Sequence, residues 1–177
     1  MYAAFGTTAL LQDAGFKANI VGGDFLAFVV ARFEQRAGLQ GFGLGTDQPS
    51  HFWVEVDDTI VDVGPYYLPD DSRFPAASMP FIAWSPASEL PLYLRYCSNV
   101  QYDPCVRLDS TPEIAKRLDA FVAACRARYA AQSGQPKLRS WLLTGGTALE
   151  TAARTGDAWA QNAIRFANGI KEEQLPF

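Results

Sequence analysis

Two short β-rich segments around an Asp-Asp turn constrain the fold of this chain more than any other feature. HFWVEV at residues 51–56 and TIVDVG at residues 59–64 flank Asp57 and Asp58, a pattern that predicts a tight β-hairpin. In the register set by such a turn, three pairs of residues share one face: Val56 with Thr59, Val54 with Val61, and Phe52 with Val63. This face is almost wholly apolar, so we expect it to point into a core.

The opposite face of the same hairpin carries the residues that are capable of chemistry. His51, Trp53 and Asp62 fall on this face, with Asp62 opposite Trp53 and diagonal to His51. Diagonal neighbours lie about 7 Å apart at the backbone, within reach of an aromatic side chain. A carboxylate beside an imidazole fixes one tautomer and stabilises the imidazolium. His51 and Asp62 are therefore candidate catalytic residues, with an ordinary hydrogen-bonded histidine on a half-buried strand as the alternative.

The remaining patterns predict an α+β fold. In chain order, a helix is predicted over residues 2–14 that stops at Gly15, followed by strands over 18–21 and 25–33. A glycine-rich loop over 38–50 leads to the hairpin, after which come an irregular stretch over 65–90 with a strand at 81–84, and a further strand at 92–96. The last predicted elements are a helix from Ser110 or Thr111 to about residue 131 and two short helices within 145–168 that break near Gly156. A boundary near residue 108 is expected to separate a mixed α/β part, residues 1–108, from a helical part, residues 109–177.

Composition narrows the possible partners. The chain has 177 residues, 49% of them hydrophobic, and a net charge of −4 without a basic stripe, so we expect one core and no nucleic-acid partner. The apolar run at residues 25–30 is too short to span a membrane, and the first residues lack the basic start of a signal peptide. We therefore expect no membrane partner and a cytoplasmic location.

The cysteine and histidine content argues against a metal site. Cys97, Cys105 and Cys125 form an odd set without metal-ligand spacing, so they are expected to be reduced thiols. His51 is the single histidine, which excludes a zinc site built on several histidines. We expect neither a metal nor a cofactor.

The hairpin and the segment around the first strand resemble a known family. HFWVEVDDTIVDVG is similar to the His–Asp segment of the transglutaminase-like superfamily in the papain-type cysteine-peptidase clan, and ALLQDAGFKANIVGG at residues 9–23 resembles the helix end and first strand of that superfamily. The resemblance covers about residues 1–66 and is closest to an uncharacterised bacterial branch. It implies an N-terminal helix packed on an antiparallel sheet, with His51 as the catalytic base and Asp62 as its orienting acid.

The same resemblance implies a cysteine nucleophile at the start of the first helix. Counting back from Gly15 places that cysteine just before Met1, and residues 1–96 contain none. Three explanations stay open: a cysteine that precedes Met1, a catalytically inactive relative, or a substitute nucleophile such as Thr7 or Thr8.

The implied function is a cysteine hydrolase or acyl-transferase that acts on a peptide or another amide-containing substrate. The alternatives are a catalytically inactive binding module and acyl transfer of the arylamine N-acetyltransferase type. Trp53 and Tyr66 are candidate substrate-binding residues because both are expected near the cleft, and ordinary packing is the alternative for each.

Overall fold

The fold is described from a computed structural model, which describes residues 1–33, 37–42, 51–72, 74–85, 89–102, 112–175 and 177. The elements are α1 (Tyr2–Asp13), β1 (Ala18–Val30), β2 (Ala37–Phe42), β3 (His51–Val56), β4 (Thr59–Asp62), a 3-10 helix (Gly64–Asp71), β5 (Phe81–Trp84), β6 (Leu94–Tyr102), α2 (Pro112–Ala130), β7 (Leu142–Leu143), α3 (Gly146–Arg154), α4 (Ala158–Ala167) and a second 3-10 helix (Glu172–Gln174). Helix α1 packs on a curled mixed sheet, which confirms the predicted α+β class.

Strand β1 organises the sheet. One edge of β1 pairs first with β3 and then with β2, and the other edge pairs with β6. From β3 the sheet continues through β4 and β5 to β7. All described pairings are antiparallel except that of β5 with β7, which is parallel. The expectation of a purely antiparallel sheet therefore fails only at the last pair.

The prediction of two strands within residues 18–33 was wrong, because the structure has one continuous strand. Gly22 and Gly23, which lie between the two predicted strands, are at a register shift between β1 and β6. A Cβ atom on Gly23 would lie 2.0 Å from the carbonyl oxygen of Cys97. The glycine is thus required by the close approach of β6, and the strand continues through the bulge.

The first residues of the predicted glycine-rich loop belong to a strand instead. Residues 37–42 form β2 and pair with residues 25–30 of β1, because the pairing partner compensates for the weak strand propensity of glycine. Residues 43–50 of the predicted loop lie outside the described residues, as do the predicted boundary near residue 108, the caps Ser110 and Thr111, and Cys105.

The end of α1 follows the sequence prediction. Gly15 adopts the left-handed conformation with φ of 91°, its N–H donates to the carbonyl of Gln12, and the N–H of Phe16 donates to the carbonyl of Leu11. This pair of hydrogen bonds is the Schellman motif, which satisfies the last carbonyls of a helix. Beyond the turn, Ala18 enters the sheet and packs in a small core cluster with Ala4 of α1.

The β3–β4 hairpin has the predicted register. Asp57 and Asp58 both have positive φ, as a two-residue turn of this hand requires, and Val54 faces Val61. Val54 lies in the core cluster beside α1. The apolar pattern thus places one face of the hairpin against the helix, and strand alternation directs His51 and Trp53 to the other face.

The C-terminal helices contribute to a larger core. Trp159 of α4 is fully buried and donates its indole N–H to the backbone carbonyl of Phe28 on β1 at 2.8 Å. Leu149 of α3 joins the same apolar cluster, which also contains Ile82 and Leu94 of the sheet. In the ranges described, no helix combines the length and apolar character needed to cross a bilayer.

Candidate active site

His51 and Asp62 form a buried hydrogen-bonded pair on the face predicted for them. The Nε2 atom of His51 lies 2.6 Å from Oδ2 of Asp62. His51 is 9% exposed and Asp62 only 2%, so solvent screens this pair far less than a surface ion pair. The predicted contact is confirmed, and its catalytic role remains a prediction.

The Asp62 carboxylate accepts two further hydrogen bonds. Oδ2 also accepts a hydrogen bond from the hydroxyl of Tyr96 at 2.9 Å, and Oδ1 accepts one from the backbone N–H of Gly64 at 2.8 Å. These contacts replace the hydrogen bonds to water that burial removes from the carboxylate. Because a carboxylate can only accept hydrogen bonds, Nε2 of His51 is assigned as the donor in their contact.

Aromatic rings surround the imidazole of His51. The ring of Phe25 on β1 stacks on His51 with centroids 4.2 Å apart and an interplanar angle of 19°. Tyr96 packs beside Phe25 at 4.8 Å, and its ring meets Trp53 edge-on at 5.0 Å. These contacts restrict rotation of the His51 ring, so its nitrogen atoms keep their directions.

Gly64 leaves no room for a side chain beside the pair. A Cβ atom at this position would lie 2.9 Å from Oδ1 of Asp62 and 2.9 Å from Cε1 of His51. Gly64 also begins the 3-10 helix that follows β4, which aims its N–H at the carboxylate. The turn after β4 therefore donates a hydrogen bond to Asp62 and packs closely against His51.

The start of α1 lies within electrostatic range of the same carboxylate. Burial lowers the pKa of the Met1 α-amino group, and the negative charge of Asp62 raises it in turn. Met1 is the N-cap of α1, so the positive end of the helix dipole is close to the acid of the pair.

The structure separates the two predicted substrate-binding residues. Trp53 lies in the site with its ring centroid 6.2 Å from that of His51, but it is 1% exposed and donates its indole N–H to Glu55. Tyr66 packs against Phe81 and lines a cavity of about 200 Å³ whose described lining does not include His51 or Asp62. Substrate contact by either residue remains a prediction.

The two described cysteines lie apart from the aromatic side of the site. Cys97 is exposed and follows Tyr96 directly on β6, so strand alternation directs its side chain to the other face of the sheet. Cys125 packs near Gly6, where α2 contacts α1. Within the described part of the chain, no cluster of three or more His, Cys, Asp or Glu residues could hold a metal ion.

Sequence reasoning missed two partners of the pair. Tyr96 and Phe25 lie on β6 and β1, far from the hairpin in the chain, and face each other across the β1–β6 ladder. No periodic signal connects them to Asp62. A buried-strand pattern around Phe25 was visible, but its contact with His51 depends on the pairing of β1 with β3, which sets Gly23 opposite His51 and Phe25 on the diagonal.

We expect the Gly64→Ala substitution to lower the free energy of unfolding by about 1–3 kcal/mol, as overpacking of a closed site does. The added methyl group would press on Asp62 and His51, which are buried and bonded to each other. Gly146→Ala is the matched control, because a Cβ atom there has no neighbour within 4 Å. Urea denaturation measures both variants, and equal stabilities would contradict the close packing described here.

The tyrosines predict a loss of stability at alkaline pH. Burial, followed by the charge and hydrogen bond of Asp62, raises the pKa of Tyr96 well above its usual value, and burial raises the pKa of Tyr93 to about 12. Since the unfolded chain ionises these groups first, the free energy of unfolding falls as pH rises above about 10, by at most about 1.4 kcal/mol per pH unit for each tyrosine.

Urea denaturation between pH 9 and pH 11 measures this slope. Tyr96→Phe should make the fall shallower than in the wild type, whereas Tyr129→Phe, which removes the hydroxyl of an exposed residue, should leave the slope unchanged. A Tyr96→Phe protein with the wild-type slope would show that the Tyr96 hydroxyl is not held as described.

Comparison with known proteins gave no match: no protein-family model, curated protein or solved structure matches the chain. The resemblance to the transglutaminase-like superfamily therefore remains a prediction that rests on the motifs in residues 9–23 and 51–64.

Proposed function

We propose that the chain carries the base and the orienting acid of a cysteine-type acyl-transfer site that acts on amide bonds. The observation that carries this proposal is the buried contact of 2.6 Å between Nε2 of His51 and Oδ2 of Asp62. The resemblance of residues 51–64 to the transglutaminase-like His–Asp segment supports the same function.

The hydrogen bonds of the pair define what the imidazole would do. With Nε2 donating to Asp62, the neutral ring carries its proton on Nε2, and Nδ1 is the nitrogen that accepts a proton. Asp62 then stabilises the imidazolium that forms when Nδ1 is protonated. His51 is thus the general base and, in the next step, the general acid.

The proposed reaction proceeds in two steps. A thiol loses its proton to Nδ1 of His51 and attacks the carbonyl carbon of the amide, and the same proton then passes to the leaving amine as the C–N bond breaks. Water or a second amine attacks the resulting thioester, again with His51 as base, and releases the thiol. Hydrolysis and transamidation differ only in this second nucleophile.

The proposed position of the thiol is the N-terminal end of α1, on the residue directly before Met1. A helix N-terminus stabilises a thiolate through its dipole and its unpaired amide N–H groups. The position of α1 supports this proposal, because the Met1 end of the helix lies within electrostatic range of Asp62.

A catalytically inactive binding module is the second candidate. The observation that favours it is the placement of the described thiols, since Cys97 is directed to the other face of the sheet and Cys125 packs against α1. In that case the aromatic site around His51 would hold a ligand without bond cleavage.

A cysteine placed at the start of α1 tests the proposal. We expect a cysteine inserted directly before Met1, expressed behind an added initiator methionine, to be alkylated by iodoacetamide at pH 6 at least about tenfold faster than an ordinary thiol. Adding His51→Ala should abolish this advantage, because the imidazolium that stabilises the thiolate is gone. Peptide mass spectrometry measures the rate at each cysteine separately.

The exposed Cys97 of the same protein is the internal control, and its rate should not depend on His51. A new cysteine that reacts with the pH profile of Cys97, with or without His51, would rule out the acyl-transfer site and leave the binding module.

A further inference from the structure

Tyr96 is a half-buried residue whose hydroxyl the proposed reaction does not use directly. It lies on β6, 34 residues after Asp62, and its hydroxyl shares Oδ2 of Asp62 with Nε2 of His51. The other carboxylate oxygen is occupied by the N–H of Gly64. One oxygen of the acid thus serves two side-chain donors at once.

Two donors to one oxygen weaken each other. Each hydrogen bond withdraws electron density from the shared oxygen, so the oxygen is a poorer acceptor for the second donor. The His51–Asp62 bond is therefore weaker with Tyr96 present than it would be with Asp62 alone.

Neighbouring rings hold the Tyr96 side chain in place. Its ring packs against Trp53 and Phe25, and Phe25 in turn stacks on His51. A Tyr96→Phe variant keeps these ring contacts and loses only the hydroxyl. Because burial and Asp62 raise the pKa of Tyr96 well above its usual value, the hydroxyl remains a donor at neutral pH.

We infer that Tyr96 is a positioning residue of the site, which shares Oδ2 of Asp62 with His51 and thereby limits the hold of the acid on the imidazole. This inference rests on the proposed function for its catalytic meaning. A base that must take a proton and return it in every cycle works best when its acid does not bind the imidazolium too tightly. Tyr96 supplies that limit.

The single histidine of the chain gives a direct readout. The proton on Nε2 of His51 is buried against Asp62, so it should give one resolved downfield proton resonance in nuclear magnetic resonance spectra. We expect Tyr96→Phe to move this resonance further downfield, because the His51–Asp62 bond strengthens when the competing donor is removed. Loss of the resonance in Asp62→Asn confirms its assignment.

Tyr93→Phe is the matched control, because Tyr93 is a buried tyrosine near the same strand that packs on Trp159. It should leave the resonance in place. An unchanged or upfield resonance in Tyr96→Phe would overturn the inference and show that Tyr96 only packs in the site.

A second variant keeps the test decisive if Tyr96→Phe does not fold. Site-specific replacement of Tyr96 by 3-fluorotyrosine makes the hydroxyl a stronger donor, so the His51 resonance should move upfield, opposite to the shift in Tyr96→Phe. A downfield or absent shift would contradict the inference.

The cysteine test of the proposed function and the resonance test of Tyr96 can fail independently of each other. An unreactive cysteine at the start of α1 together with the expected shifts would reject the acyl-transfer site but keep Tyr96 as a partner of the pair. A reactive, His51-dependent cysteine with no shift in either Tyr96 variant would keep the proposed function and reject the role of Tyr96.

Discussion

The buried carboxylate of Asp62 is the group on which the site depends. At 2% exposure it is almost removed from water, and a charge in that position is strongly unfavourable unless donors replace the lost hydration. The donors come from three separate segments: His51 on β3, Tyr96 on β6 and the backbone of Gly64. The hydrogen-bonded pair therefore forms only when the sheet has assembled, which couples the chemistry of the site to the fold.

The curl of the sheet makes this assembly possible. β1 and β3 lie between β6 and β4 in the sheet, yet the hydroxyl of Tyr96 reaches the carboxylate of Asp62. Bulges increase the local twist of a strand, and one interrupts the β1–β6 pairing at Gly22 and Gly23, close to the site. The glycines between the two predicted strands thus lie where the sheet must bend around the site.

Local patterns predicted the hairpin and its pair, whereas the surrounding partners depend on long-range contacts. The alternation of apolar residues determined one register, and that register alone places Asp62 on the side of His51. The contact with Tyr96 crosses the curled sheet and leaves no trace in hydrophobic periodicity. Strand β2 was missed for the same reason, because its glycine-rich sequence forms a strand only through pairing with β1. Sequence reasoning therefore found the two residues that carry the proposed chemistry and missed the environment that tunes them.

The nitrogen-15 chemical shifts of the single histidine test the central claim most directly. The bond from Nε2 to Asp62 requires that neutral His51 carry its proton on Nε2 and leave Nδ1 as the proton acceptor. At a pH where the ring is neutral, we expect one protonated nitrogen, Nε2, and one unprotonated nitrogen, Nδ1, without averaging between tautomers. A proton on Nδ1, or the averaged shifts of a ring that exchanges tautomers freely, would contradict the pairing and the function proposed from it.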